Sequence, residues 1–227
     1  MKSIGVVLLS FALFLNPLAW GGETWKIASL NWEPYSSDRM TTQGNAIQKL
    51  RHLLKQKDIE LIVDFYPWER AQEIAKDPQY IGYFPAWPEE VKEGFTASAK
   101  IDWSWIAVLR KRSTMLEYSN ARQLFAFYRG GLISTYSYPT LIADQAKAQR
   151  HRTTLVANEL ALLKALMADQ IDFAVTDPYV MTYLADKLGV DEIEVDKVLM
   201  RKALVLAIRN DEHASERLQL LRDLLNH

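Results

Sequence analysis

The sequence predicts an α/β protein of two lobes with a ligand crevice between them. Three observations carry this. Short apolar runs alternate with helical patterns from residue 25 onward, which implies parallel strands joined by crossover helices. The alternation starts again at Gly130-Gly131, as a second series of the same kind. No internal repeat, low-complexity segment or flexible linker separates the two series, so the lobes should pack against one another and leave a crevice suited to a small ligand.

The first series opens with "WKIASL" (25–30) as a strand. "NAIQKLRHLLKQ" (45–56) follows as a helix whose apolar stripe is Ile47, Leu50, Leu53 and Leu54. "IELIVDF" (59–65) is the next strand, "AQEIAKD" (71–77) a helix, and "YIGYF" (80–84) a third strand. "WSWIAVLRK" (103–111) is a longer strand-like run. In the second series "GGLIST" (130–135) is a strand and "YPTLIADQAKAQ" (138–149) a helix, with Pro139 suited to the first turn. "TTLVA" (153–157) and "IDFAVTD" (171–177) are strands around the periodic helix "ELALLKALMAD" (159–169). "YVMTYLADKLG" (179–189) is a helix stopped by Gly189. "ALVLAIRND" (203–211) and "SERLQLLRDLLN" (215–226) end the chain as strand and amphipathic helix.

The first 21 residues read as a removable leader. Lys2 is basic, Ile4–Leu15 is apolar, Asn16-Pro17 breaks any helix, and small residues stand at Ala19 and Gly21. The apolar run is short for a membrane span of roughly 20 residues. Export to the periplasm with cleavage after Gly21 is therefore expected. That removes 21 of the 227 residues, leaves 206, and takes the net charge from −1 to −2 with the loss of Lys2. A near-neutral chain without a basic block gives no support for nucleic-acid binding. With no cysteine, disulfides, thiolate catalysis and thiolate metal sites are excluded. The four histidines have no paired spacing, so no metal or other cofactor is expected. No G-x-S-x-G nucleophile motif is present.

The candidate site follows from one rule: in an open α/β sheet, ligands lie beyond the carboxyl ends of the strands. Three such ends in the first lobe carry aromatic or charged residues. They are Asn31 to Tyr35, Trp68-Glu69-Arg70, and Pro85-Ala86-Trp87. In the second lobe, Ser134 to Tyr138 ("STYSY") lies between a strand and a helix start, where free N–H groups suit an anion or where Ser137 caps the helix. Asp177-Pro178 reads as a helix N-cap followed by Pro at the first position, and a capping Asp at a crevice edge can also face an ammonium.

The order "NWEPYSS … G … YPWERA … GYFPAWPEE … ASAKI … GGLISTYSYP … LLKALMADQIDFAVTDPYV … ALVLAIRND" resembles the bacterial extracellular solute-binding proteins of family 3. These are the substrate-binding components of amino-acid ABC transporters and their short relatives. The resemblance implies a type II periplasmic binding protein fold, with two lobes joined by crossing strands at 103–111 and 199–209. Lobe 1 would comprise 22–106 plus 204–227, and lobe 2 would comprise 107–203. It also implies that Asp177 pairs with a ligand ammonium, that Tyr35 covers the ligand, that Trp68 and Arg70 form a W-x-R element, and that Ser137 belongs to the carboxylate-holding loop. With Trp87 and Tyr138 from the strand-end rule, these make the candidate ligand-binding set. Two departures stand out: Val91 occupies the place of the family's carboxylate-clamping arginine, and Thr135 that of a loop glycine. Arg70 is then the residue available to replace the lost charge.

The expected function is capture of a small polar solute, amino-acid-like or an organic acid or amine, by a monomer with no catalytic residues. A membrane permease is the implied partner. The alternatives are a sensory module for a receptor and a dehydratase-like enzyme on the same fold, for which Glu33, Glu69 and Asp177 are the acid–base candidates.

Overall fold

The computed structural model describes residues 23–226; the leader expected over 1–21 lies outside them. Among the described residues the order is β1 (Thr24–Ser29), α1 (Asn45–Lys55), β2 (Glu60–Phe65), α2 (Trp68–Ile74), β3 (Gly82–Ala86), a 3-10 turn (Pro88–Glu90), β4 (Phe95–Ala97) and β5 (Asp102–Lys111). Then come α3 (Ala121–Phe127), β6 (Gly130–Ile133), α4 (Thr140–Ala148), β7 (Thr153–Val156), α5 (Glu159–Met167), β8 (Phe173–Thr176), α6 (Pro178–Lys187), β9 (Ile193–Arg209) and α7 (Ala214–Leu225).

The strands are hydrogen-bonded in the path β2-β1-β3-β9-β5-β8-β6-β7, with β4 also on β9. β1 pairs β2 and β3 in parallel, and β6 pairs β7 and β8 in parallel, as the alternation of short apolar runs with helices requires. β9 joins the two sets. Its first part, Ile193 to Leu204, lies antiparallel to β5, and its last part, Val205 to Arg209, lies on β3 and β4. Fully buried Trp25 and Ile27 of β1 meet the predicted stripe of α1, where Ile47, Leu50 and Leu54 are also fully buried.

Several expectations need adjustment. The helix expected at 71–77 begins three residues earlier, which puts Trp68, Glu69 and Arg70 in its first turn. The helix expected at 138–149 starts at Thr140, with Pro139 as its N-cap and no side-chain cap bond, so Ser137 does not cap it. The strand expected at 203–211 is the end of a 17-residue strand. Its first half alternates charged and apolar residues on a largely exposed ribbon, so it lacks an apolar run. Helix α3 spans seven residues. It is too short to be stable by propensity and is held by burial of Leu124 and Phe125.

Candidate functional site

A cavity of about 470 Å³ lies between the two halves. The segments that follow β1, β2 and β3 contribute Trp32, Trp68 and Trp87, and the ends of β6 and β7 contribute Tyr136 and Glu159. Parallel pairing turns the carboxyl ends the same way within each half, and the three antiparallel steps β3-β9-β5-β8 turn the two sets toward each other, so one cavity collects five of them.

The loop carrying Trp32 is built by backbone bonds. Trp32 N–H donates to Ser36 O at 2.7 Å and Tyr35 N–H to Trp32 O at 2.9 Å. Helix α1 has no side-chain cap; its first N–H groups, from Asn45 and Ala46, donate to the loop carbonyls of Pro34 and Tyr35 at 2.8 and 3.0 Å. Gly44 permits that close approach. It has φ +101°, and a Cβ there would lie 2.4 Å from Tyr35 O.

The loop then reaches across to the other half. Trp32 Nε1 donates to Glu159 Oε1 at 2.9 Å and to the Tyr136 hydroxyl at 2.5 Å. The Tyr136 hydroxyl also donates to Glu159. The rings of Trp32, Tyr35, Trp87 and Tyr136 pack together, with Trp32 stacked on Tyr35 at 4.5 Å and Trp87 edge-on to Tyr136 at 5.0 Å. Burial, with the Glu159 charge beside it, pushes the Tyr136 phenol well above its ordinary value, so it stays a donor.

Of the sequence-derived candidates, Trp68 and Trp87 line the cavity. The other five do not. Asp177 is fully buried, and its bonds are taken by the protein itself. Oδ1 accepts from the N–H groups of Tyr179 and Val180 at 2.8 and 3.2 Å, as an N-cap does. Oδ2 accepts from Trp105 N–H at 2.8 Å and from the Tyr35 hydroxyl at 3.0 Å. Tyr35 is thus placed on Asp177 rather than over a cavity. Burial pushes the Asp177 carboxyl up to about 6, against the pull of these donors. Arg70 is exposed on α2, outside the cavity lining. The Ser137 carbonyl accepts from Lys202 Nζ at 2.7 Å. The Tyr138 hydroxyl bridges Ile133 N–H and Val175 O at 2.9 Å each, inside its own half. Val91 packs with Tyr83 and its neighbours in the apolar core, while Thr135 lines the cavity.

The structure brings in carboxylates that the sequence reading had not chosen. Glu90 is buried; its Oε2 accepts from Trp87 N–H at 3.0 Å across the tight 3-10 turn. Burial pushes its carboxyl up, while Trp87 N–H, the Lys202 ammonium and Trp68 pull it down. The strand-end rule, applied to β7 as it was to β1, β2 and β3, points to Asn158 and Glu159, and both line the cavity. Glu69 completes three carboxylates in the lining. Behind Trp87, Lys202 Nζ lies 3.8 Å from the ring centroid and 3.5 Å from Glu89. Among the described residues no group of three or more His, Asp or Glu is placed to hold a metal ion, and no helix is long and apolar enough to cross a membrane.

Neither a family model nor a curated protein sequence matches the chain. Solved structures do. An ancestral arginine-binding protein bound to arginine superimposes with a TM-score of 0.71 at 13% identity, covering 89% of this chain and 91% of that one. A histidine kinase sensor domain with similarity to periplasmic binding proteins gives 0.70 at 14% identity, covering 90% of each chain. A substrate-binding protein of an ABC uptake transporter from Streptococcus pneumoniae, with bound histidine, gives 0.67 at 14%, covering 89% and 85%. Two α/β halves joined by β5 and β9, with their parallel strand ends turned toward one cavity, are a type II periplasmic binding protein fold.

Proposed function

We propose that the protein is an exported solute-binding protein that encloses a small polar molecule between its halves. The observation that carries this reading is the cavity of about 470 Å³ formed by strand ends from both halves. Its volume lies in the range of small-molecule sites. Proteins of the same fold hold arginine or histidine in their solved forms. In this reading 22–106 with 204–227 and 107–203 move as two bodies about β5 and β9, and the closed form is presented to a membrane permease in the periplasm by a monomer. Trp68 and Trp87 contact the solute, while Asp177 and Tyr35 form the seam that closes over it.

Thermal unfolding against amino acids, polyamines, organic acids and aromatic acids tests this. A ligand at 100 times its dissociation constant stabilises by about 2.7 kcal/mol, roughly 5–10 °C for a chain of this size. A flat response across the panel argues against solute capture. The likeness to a kinase sensor domain favours a second reading, a sensory module. Deleting the gene separates the two: loss of labelled-solute uptake supports transport, and unchanged uptake with altered signalling supports sensing.

A further inference from the structure

We propose that the cavity takes an organic cation lacking a carboxylate, an amine or quaternary ammonium, held by Glu90 and Glu159 against the rings of Trp68 and Trp87. This rests on the reading of the cavity as the solute site. The first support is charge. Glu69, Glu90 and Glu159 line the cavity from both halves, and among its lining residues none is Lys, Arg or His. A carboxylate ligand there would meet three acidic side chains and no cation in the lining, since Lys202 lies behind Trp87 and is committed to Glu89 and the Ser137 carbonyl, and that is unfavourable away from water. A cation inverts that balance.

The second support is the wall. Six lining residues are aromatic: Trp32, Phe65, Tyr66, Trp68, Trp87 and Tyr136. Indole faces attract cations more than other rings do. Trp87 already carries one, with the Lys202 ammonium 3.8 Å from its centroid. The third support is what is closed. Asp177 is spent on four protein donors, and Val91 stands in the apolar core. No acid is left there for an α-ammonium, and no guanidinium is supplied for an α-carboxylate.

Isothermal titration of the protein with putrescine, agmatine and choline, and with succinate and glutamine as the anion and zwitterion, tests the inference. At least one of the three cations should bind saturably, with a dissociation constant below about 1 mM. Glu90→Gln and Glu159→Gln should each weaken it about tenfold or more. The amides keep an acceptor atom for Trp87 N–H and Trp32 Nε1, so both variants should still fold and unfold cooperatively. Glu69→Gln, on the exposed side of α2, is the variant to use if either of these fails to fold. Saturable binding of succinate or glutamine with none of the cations overturns the inference and leaves the solute-binding reading standing. Cation binding indifferent to the Gln variants also overturns it. Absence of saturable binding by all five probes overturns both.

Discussion

Replacing Asp177 with alanine should destabilise the protein by an amount that depends on pH in a definite direction. The carboxylate accepts four hydrogen bonds, from Tyr179, Val180 and Trp105 N–H and from the Tyr35 hydroxyl, at 2.8 to 3.2 Å. Loss of the helix cap costs about 1 kcal/mol. Trp105 N–H and the Tyr35 hydroxyl, each left without an acceptor, add about 1–3 kcal/mol apiece. An opposing effect comes from burial of the charge. Burial raises the folded carboxyl from 3.8 to about 6, while in the unfolded chain it stays near 3.8. Between those two values the unfolded chain releases its proton and the folded chain keeps it, so this group's contribution to stability falls as pH rises through about 4 to 6. Above that window the loss is complete, at about 3 kcal/mol. Alanine has no such slope. The destabilisation caused by Asp177→Ala should therefore be about 2 kcal/mol larger at pH 4 than at pH 7, since at pH 4 the unfolded carboxyl is already partly ionised. Urea unfolding of both proteins at pH 4, 5, 6 and 7, followed by tryptophan fluorescence, measures it; other groups cancel in the difference. An equal or larger effect at pH 7 would refute the reasoning, because it would mean that Asp177 is held ionised by a cation and not buried among neutral donors.

Trp32→Phe keeps the ring but loses the indole bonds to Glu159 and Tyr136. A bond to a charged acceptor is worth about 1.5–3 kcal/mol, so the halves should open, and an unchanged radius of gyration by small-angle scattering would count against the latch. Gly44→Ala places a Cβ 2.4 Å from Tyr35 O at φ +101°; a loss of about 1–3 kcal/mol or more is expected, read as a lowered unfolding midpoint. Arg70→Ala should leave ligand affinity within about twofold, since the side chain is exposed outside the cavity and an exposed charge is screened; a loss of tenfold or more would return Arg70 to the site. Cation affinity should rise with pH as Glu90 ionises, because burial holds its carboxyl above the usual range and a bound cation favours the charged form. The groups around it are Glu89 and Trp87 on its own turn, Trp68 on α2, Tyr83 on β3 and Lys202 on β9; the slope should be clearly reduced in Glu90→Gln, measured by titration from pH 4 to 8.

Alternating apolar runs and helical stripes were enough to predict parallel strands in both halves, because each pattern is a local consequence of which face is buried. They were enough to place Trp68 and Trp87 at a strand-end crevice, and to read Asp177-Pro178 as a cap with Pro at the first helical position. Short α3 and the exposed half of β9 escaped because their stability comes from packing and ribbon pairing, not from their own periodicity. The partners across the seam were also beyond reach. Tyr35 and Asp177 are 142 residues apart in sequence, and Trp32 and Glu159 are 127 apart. Which carboxylate is consumed and which faces the cavity is set by the register of β5 on β9, which fixes how the halves meet. Local sequence carries no record of that register, so a conspicuous acid at a strand end became a buried joint, and Glu90 and Glu159 came to line the cavity beside Glu69.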